Sequence, residues 1–124
     1  MIDRHLLISL AHTVVFVPIM LYVGFNRAAT PEWAYNVLFG LGLLVLVYHA
    51  YKGAARWAAG SQYVWVHAIH VLLVAPVFLW LGYNGKKTER PAYEMLLMLA
   101  FAALGYHIYQ LIIVSQTLVT PNNI

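Results

Sequence analysis

Four histidines recur as two matched pairs in a chain that is otherwise mostly apolar. Sliding the sequence over itself by 58 residues places His12 on His70 and His49 on His107. An imidazole in an apolar layer can ligate a metal ion or a haem iron, or it can carry a proton near neutral pH. These four side chains are therefore the first candidates for chemistry.

The same offset aligns residues that an apolar composition would not match by itself. They include proline, asparagine and tyrosine, namely Pro18 with Pro76, Asn26 with Asn84, and Tyr48 with Tyr106. A duplication explains their common register. The sequence therefore predicts one membrane domain, residues 1–124, built from two tandem helical-hairpin repeats at about residues 5–58 and 63–116.

The elements that position the histidines are four apolar runs. Hydrophobic residues make up 63% of the chain and charged residues 9%, which leaves too few polar side chains for a water-soluble surface. The runs cover about 6–25, 33–51, 63–83 and 92–119, and the segment 52–62 is predicted to link the second to the third. Each is long enough to cross a hydrocarbon layer of about 30 Å. The chain is therefore predicted to be an all-α integral membrane protein.

Short turns within each hairpin predict an antiparallel bundle of four transmembrane helices. Each repeat holds two spans, so both copies cross in the same sense about a pseudo-twofold axis along the membrane normal. Both termini are then expected on the same side of the membrane. Pro18 and Pro76 lie in the middle of their spans, where a proline bends a helix.

Helical rise places the four histidines at one depth. His12 lies roughly 20 Å from the turn that closes the first hairpin, and His49 lies roughly 24 Å from it. His70 and His107 have the same depths by the repeat. We call these four residues the histidine layer, and the symmetry predicts that His12 faces His70 and that His49 faces His107.

One interpretation of the histidine layer is a single b-type haem for electron transfer. Either diagonal pair of imidazoles could supply both axial ligands, and the sequence does not select between the pairs. Small residues two turns deeper, Gly42 and Ala100, would give space to a flat ligand or to a neighbouring helix. Three polar side chains are expected near the haem propionates: Tyr48, Tyr106 and Gln110. Paired histidines on antiparallel helices resemble haem-binding four-helix membrane cytochromes in kind, without a family signature.

Three other interpretations remain open. His67 breaks the repeat because it aligns with Ser9, and it shares a helix face with His70. A bare Cu, Zn or Fe ion could then be held by imidazoles from the set His12, His49, His67, His70 and His107. The same side chains could form a proton or ion path. A structural or partner-binding membrane subunit without a cofactor would need none of these roles.

Composition narrows the function classes. The chain has no cysteine, and its four acidic residues, Asp3, Glu32, Glu89 and Glu94, lie at or near helix ends. A buried general acid, a di-iron carboxylate site and an iron–sulfur cluster are therefore not expected, and the protein is predicted to be an electron carrier or transport protein rather than a catalyst. The seven basic residues form no stripe for nucleic acid. The predicted partners are the lipid bilayer and either further copies or a membrane complex.

Overall fold

A computed structural model of the protein describes residues 4–119, apart from the side chains of residues 5 and 117–119. Within this range the structure is helical and contains no strand. Four stretches are long and apolar enough to cross a membrane, which agrees with the sequence prediction: Leu6–Ala29, Glu32–Ala58, Val64–Lys87 and Arg90–Gln116. We call them the first to fourth spans.

The first and third spans are interrupted, whereas the second and fourth are continuous α-helices. Helices Arg4–Ala11 and Val17–Asn26 flank a π-helical turn in the first span, and Val64–Ile69 and Ala75–Asn84 flank one in the third. Short 3₁₀ turns, Arg27–Ala29 and Gly85–Lys87, end these spans. The continuous helices are Glu32–Ala58 and Arg90–Val119.

The second helix is longer than the sequence predicted. It runs to Ala58, so the segment expected to begin a linker at Lys52 is still helical. Alanines and Arg56, which favour helix, continue the α-helix beyond the apolar run. Hydropathy predicts only the apolar part of a helix, and this helix extends past that part.

The closest packing lies between hairpins rather than within them. The third span runs antiparallel to the second, and the first runs antiparallel to the fourth. Gly82 and Gly42 permit the first of these approaches. A Cβ at Gly82 would lie 2.8 Å from the backbone nitrogen of Phe39, and one at Gly42 would lie 3.0 Å from Phe78 Cβ. Helices in lipid associate through close packing of this kind, because lipid tails are as apolar as the helices and no hydrophobic effect drives the helices together.

The buried core occupies the half of the bundle near the two 3₁₀ turns, which we call the hairpin end. Its fully buried apolar side chains come from all four spans and include Met20, Val23, Leu38, Phe78, Leu81 and Leu96. The opposite end, where the first span begins and the second ends, carries the histidines. We call it the histidine end.

A tyrosine pair closes the core at the hairpin end. The hydroxyl oxygens of Tyr35 and Tyr93 are 2.7 Å apart, and the Tyr35 hydroxyl also donates to the Arg27 carbonyl at 2.7 Å. Lys86 then ties the two turns together, because its ammonium group donates to the carbonyls of Ala28 and Thr30. Each hydrogen bond satisfies a polar group that lipid could not.

We expect Gly82→Ala to destabilise the protein. The added methyl group meets the Phe39 backbone, which cannot rotate away, so the cost should be about 1–3 kcal/mol. Gly40→Ala is the matched control, because a Cβ there has no atom within 4 Å and alanine favours helix. Reversible unfolding in mixed detergent measures both variants, and equal stability would contradict the packing described above.

Loss of the Tyr35 hydroxyl should cost more than loss of its neighbour. Tyr35→Phe leaves the Arg27 carbonyl without this donor, and we expect a loss of about 1–3 kcal/mol. Both variants lose the hydrogen bond between the two hydroxyls. Tyr93→Phe keeps the bond to the Arg27 carbonyl and otherwise removes only a longer one, at 3.4 Å to the Gly85 carbonyl, so its cost should be smaller. The same unfolding assay ranks the two, and the opposite order would refute this assignment.

Candidate functional site

The two π-helical turns each begin at a histidine of the histidine layer. They cover His12–Phe16 and His70–Val74, and each ends just before the residue that precedes a mid-span proline. The Val17 amide donates to the His12 carbonyl, five residues back. A proline ring clashes with the carbonyl four residues earlier, and a wider turn relieves that clash. π-helical turns are frequent at functional sites.

His12 and His70 are held by their own helices. The Nδ1 of His12 lies 2.8 Å from the Ile8 carbonyl, and the Nδ1 of His70 lies 2.6 Å from the Val66 carbonyl. A carbonyl can only accept a hydrogen bond, so both Nδ1 atoms carry the proton. In a neutral imidazole the Nε2 lone pair is then free on both rings. The two ring centroids are 6.1 Å apart, and the ring planes are almost perpendicular.

His49 and His107 have a different arrangement from the predicted face-to-face pair. His49 stacks on His70 with 4.0 Å between centroids, and His107 stacks on His12 with 4.3 Å. Their Nδ1 atoms turn to other side chains. His49 Nδ1 is 2.9 Å from the Nδ1 of His67, and His107 Nδ1 is 3.4 Å from Ser9 Oγ.

All five histidines of the predicted metal set therefore meet in one place. Stacking and hydrogen bonding connect them across the bundle in a continuous series, which we call the histidine cluster: His67, His49, His70, His12 and His107. Among the side chains that the structure describes, no three histidines or carboxylates are arranged as a ready-made metal site. The cluster offers pairs of nitrogen donors instead.

The other predicted site residues lie at the edge of the cluster. Tyr48 and Tyr106 are exposed. Of the imidazole rings in the cluster, each tyrosine ring contacts only that of the histidine that follows it in the chain. Gln110 is partly buried one turn further along the fourth span. Gly42 and Ala100 do not open a space, because Phe78 and Leu79 pack on Gly42 and Ala100 is fully buried. The neighbouring-helix explanation of the small residues is therefore the one that the structure supports.

No role was predicted for two residues that support the cluster. Ser9 is buried against His107. Gly53 lets the third span approach the second closely, since a Cβ built on Gly53 would lie only 3.1 Å from the Cβ of His67. The alignment of Ser9 with His67 was a visible signal, because a polar residue recurs at the same point of both repeats. Gly53 aligns with Leu111 and left no such signal.

The fold defines the class of this chain: an all-helical protein with four helices that are long and apolar enough to span a membrane. Comparison with protein-family models, curated proteins and solved structures finds no significant match. The geometry of the histidine cluster is therefore the basis on which a function can be inferred.

We expect His12 and His70 to occupy the Nδ1–H tautomer in the protein without ligand. Their hydrogen bonds to backbone carbonyls require it. Nitrogen-15 spectra of histidine-labelled protein report which ring nitrogen is protonated, and His12→Phe and His70→Phe should each remove one such signal. Nε2–H tautomers at both positions would contradict these hydrogen bonds.

Proposed function

We propose that the histidine cluster binds one redox-active prosthetic group, a b-type haem, and that the protein transfers single electrons at the histidine end. His12 and His70 would hold the iron through Nε2. Bound haem supplies a one-electron Fe(III)/Fe(II) couple, whose potential the axial imidazoles tune. His49 and His107 form the outer pair, close to the end from which a redox partner would approach.

The observation that carries this proposal is the paired geometry of His12 and His70. Each ring donates Nδ1–H to a backbone carbonyl, which is the outer hydrogen bond that fixes and strengthens a ligating histidine. Two metal–nitrogen bonds of about 2 Å across one iron would place the ring centroids about 6 Å apart, and the observed separation is 6.1 Å. Two imidazoles complete the protein ligation of a b-type haem, whereas a bare ion held by two imidazoles needs further ligands from water or another small molecule.

The surroundings set conditions on a flat ligand. Towards the hairpin end, Phe78 and Leu79 fill the space beside Gly42, so the macrocycle would extend towards the histidine end. His49 and His107 cover the two ligand rings and would leave their stacks. The Thr13 hydroxyl, next to His12, is buried and has no hydrogen-bond partner among the described residues, so it is available to a polar ligand edge.

A pseudo-twofold axis along the membrane normal, relating two hairpin copies, is part of the proposal. Several structural features recur with the repeat offset and support it: π-helical turns at His12–Phe16 and His70–Val74, 3₁₀ turns at Arg27–Ala29 and Gly85–Lys87, and the hydroxyl pair of Tyr35 and Tyr93. Such an axis would give the two iron ligands equivalent environments. The observed hydrogen bonds to residues four positions earlier fit this expectation.

Transport of protons or ions by the same histidines stays a prediction. A path across the whole bundle would have to pass from the histidine layer to the tyrosine pair. In the described residues, the buried side chains between them are apolar and include Met20, Val23, Leu38, Phe78 and Leu81. Such an interior gives a moving charge no polar lining, so the geometry favours a bound group over a path.

The absorption spectrum of protein purified in detergent after expression with ample haem tests the proposal. We expect a Soret band that shifts on reduction with dithionite. His12→Phe and His70→Phe should each weaken haem binding by more than about tenfold, because each removes an axial ligand.

The matched controls are His49→Phe and His107→Phe, which keep the ligand pair and should retain a six-coordinate spectrum. A colourless preparation, with added haem producing no band, would refute haem binding. A spectrum that survives loss of His12 and His70 but not of His49 and His107 would move the ligands to the other pair.

A further inference from the structure

The two ends of the histidine cluster differ in chemistry although they occupy matching positions. At one end His49 meets His67, and at the other end His107 meets Ser9. His67 and Ser9 are 58 residues apart, as are His107 and His49. One repeat thus has a pair of imidazoles where the other has an imidazole and a hydroxyl.

The pair of His49 and His67 brings two nitrogen donors from different spans to one point. Their Nδ1 atoms are 2.9 Å apart, and only one proton lies between them. Two imidazole nitrogens on one metal ion, with bonds of about 2.0–2.1 Å at angles near 90–109°, lie about 2.9–3.4 Å apart. The nitrogen separation already lies in this range, so an ion could replace the shared proton once the two rings turn to point both lone pairs at it.

The position of the pair suits an ion that enters from the histidine end. Both side chains are only 8% exposed, and His67 lies in the first turns of the third span, beside Gly53. The lack of a side chain at Gly53 lets the two backbones approach. The pair is thus held by packing before any ion binds, and water or a lipid phosphate could complete the coordination shell.

The ligands available at the pair select one class of ion. The described carboxylates, Glu32, Glu89 and Glu94, lie at the hairpin end, so Mg²⁺ and Ca²⁺, which prefer oxygen ligands, find none of them here. Divalent first-row ions accept imidazole nitrogen. Lys52 and Arg56 act electrostatically on His67 and weaken the binding of any cation there, so the two nitrogens must supply the affinity.

We propose that His49 and His67 form a binding site for a divalent transition-metal ion such as Zn²⁺, separate from the pair His12 and His70. The site uses a different pair of nitrogens and is defined in the protein without haem, because haem binding would move His49 from its stack on His70. We expect one such site and not two, because the matching position beside His107 is Ser9, which carries a hydroxyl in place of an imidazole.

Zn²⁺ binding to the full-length protein, purified in detergent without a polyhistidine tag and without haem, tests the site. In excess Mg²⁺ we expect one equivalent of Zn²⁺ by equilibrium dialysis. His67→Ser, which copies the residue of the other repeat, should weaken binding at least about 100-fold. His12→Phe should keep one equivalent.

Ser9→His provides the converse variant, because it recreates the imidazole pair beside His107. A folded Ser9→His protein should bind two equivalents. Absence of binding by the unmodified protein, or one equivalent retained by His67→Ser, would overturn the site. A folded Ser9→His protein that binds one equivalent would overturn the claim that these positions suffice.

The haem spectrum separates this inference from the proposed function. His67→Ser removes no iron ligand of the proposed haem and should leave the Soret band in place. If the protein binds no haem but binds one Zn²⁺ that His67→Ser abolishes, the electron-transfer proposal fails and the metal site stands.

Discussion

The constraint on which this structure depends is that polar groups inside an apolar layer must find partners within the protein. Lipid offers no hydrogen bonds, so each imidazole and phenol in a span has to be satisfied by backbone or by another side chain. His12 uses a carbonyl of its own helix, His49 uses a histidine of the next span, and Tyr35 uses a turn carbonyl. These requirements concentrate polar contacts at the two ends of the bundle and leave the middle to packing.

Packing in the middle then sets the geometry of the histidine end. Spans in lipid associate through close contact, and glycines at two points of the second–third interface allow it. Gly42 and Gly82 bring the third span against the second, and Gly53 continues the same seam to His67. The contact between His49 and His67 therefore lies on the same interface as the close contacts at Gly42 and Gly82.

The mid-span prolines link backbone structure to the candidate site. Each proline follows a π-helical turn that begins with a histidine, so the backbone irregularity and the proposed ligand belong to one local unit. The sequence predicts the histidine layer and a disturbance of the helix at each proline, because depth follows from helical rise and a proline always lacks its N–H. It does not predict that the disturbance is a wide turn beginning at the histidine, since kinks and wide turns share the same sequence signal.

The sequence by itself determined the four spans, the shared depth of the histidines and the position of the acidic residues outside the interior of the apolar runs, because these follow from residue type and rise per residue. Only the tertiary structure decided which imidazoles touch. The sequence predicted that His49 would face His107, whereas His49 stacks on His70 and bonds to His67. That choice depends on the rotation of each helix about its axis and on side-chain rotamers. Both are set by contacts across spans that one sequence, read residue by residue, does not specify.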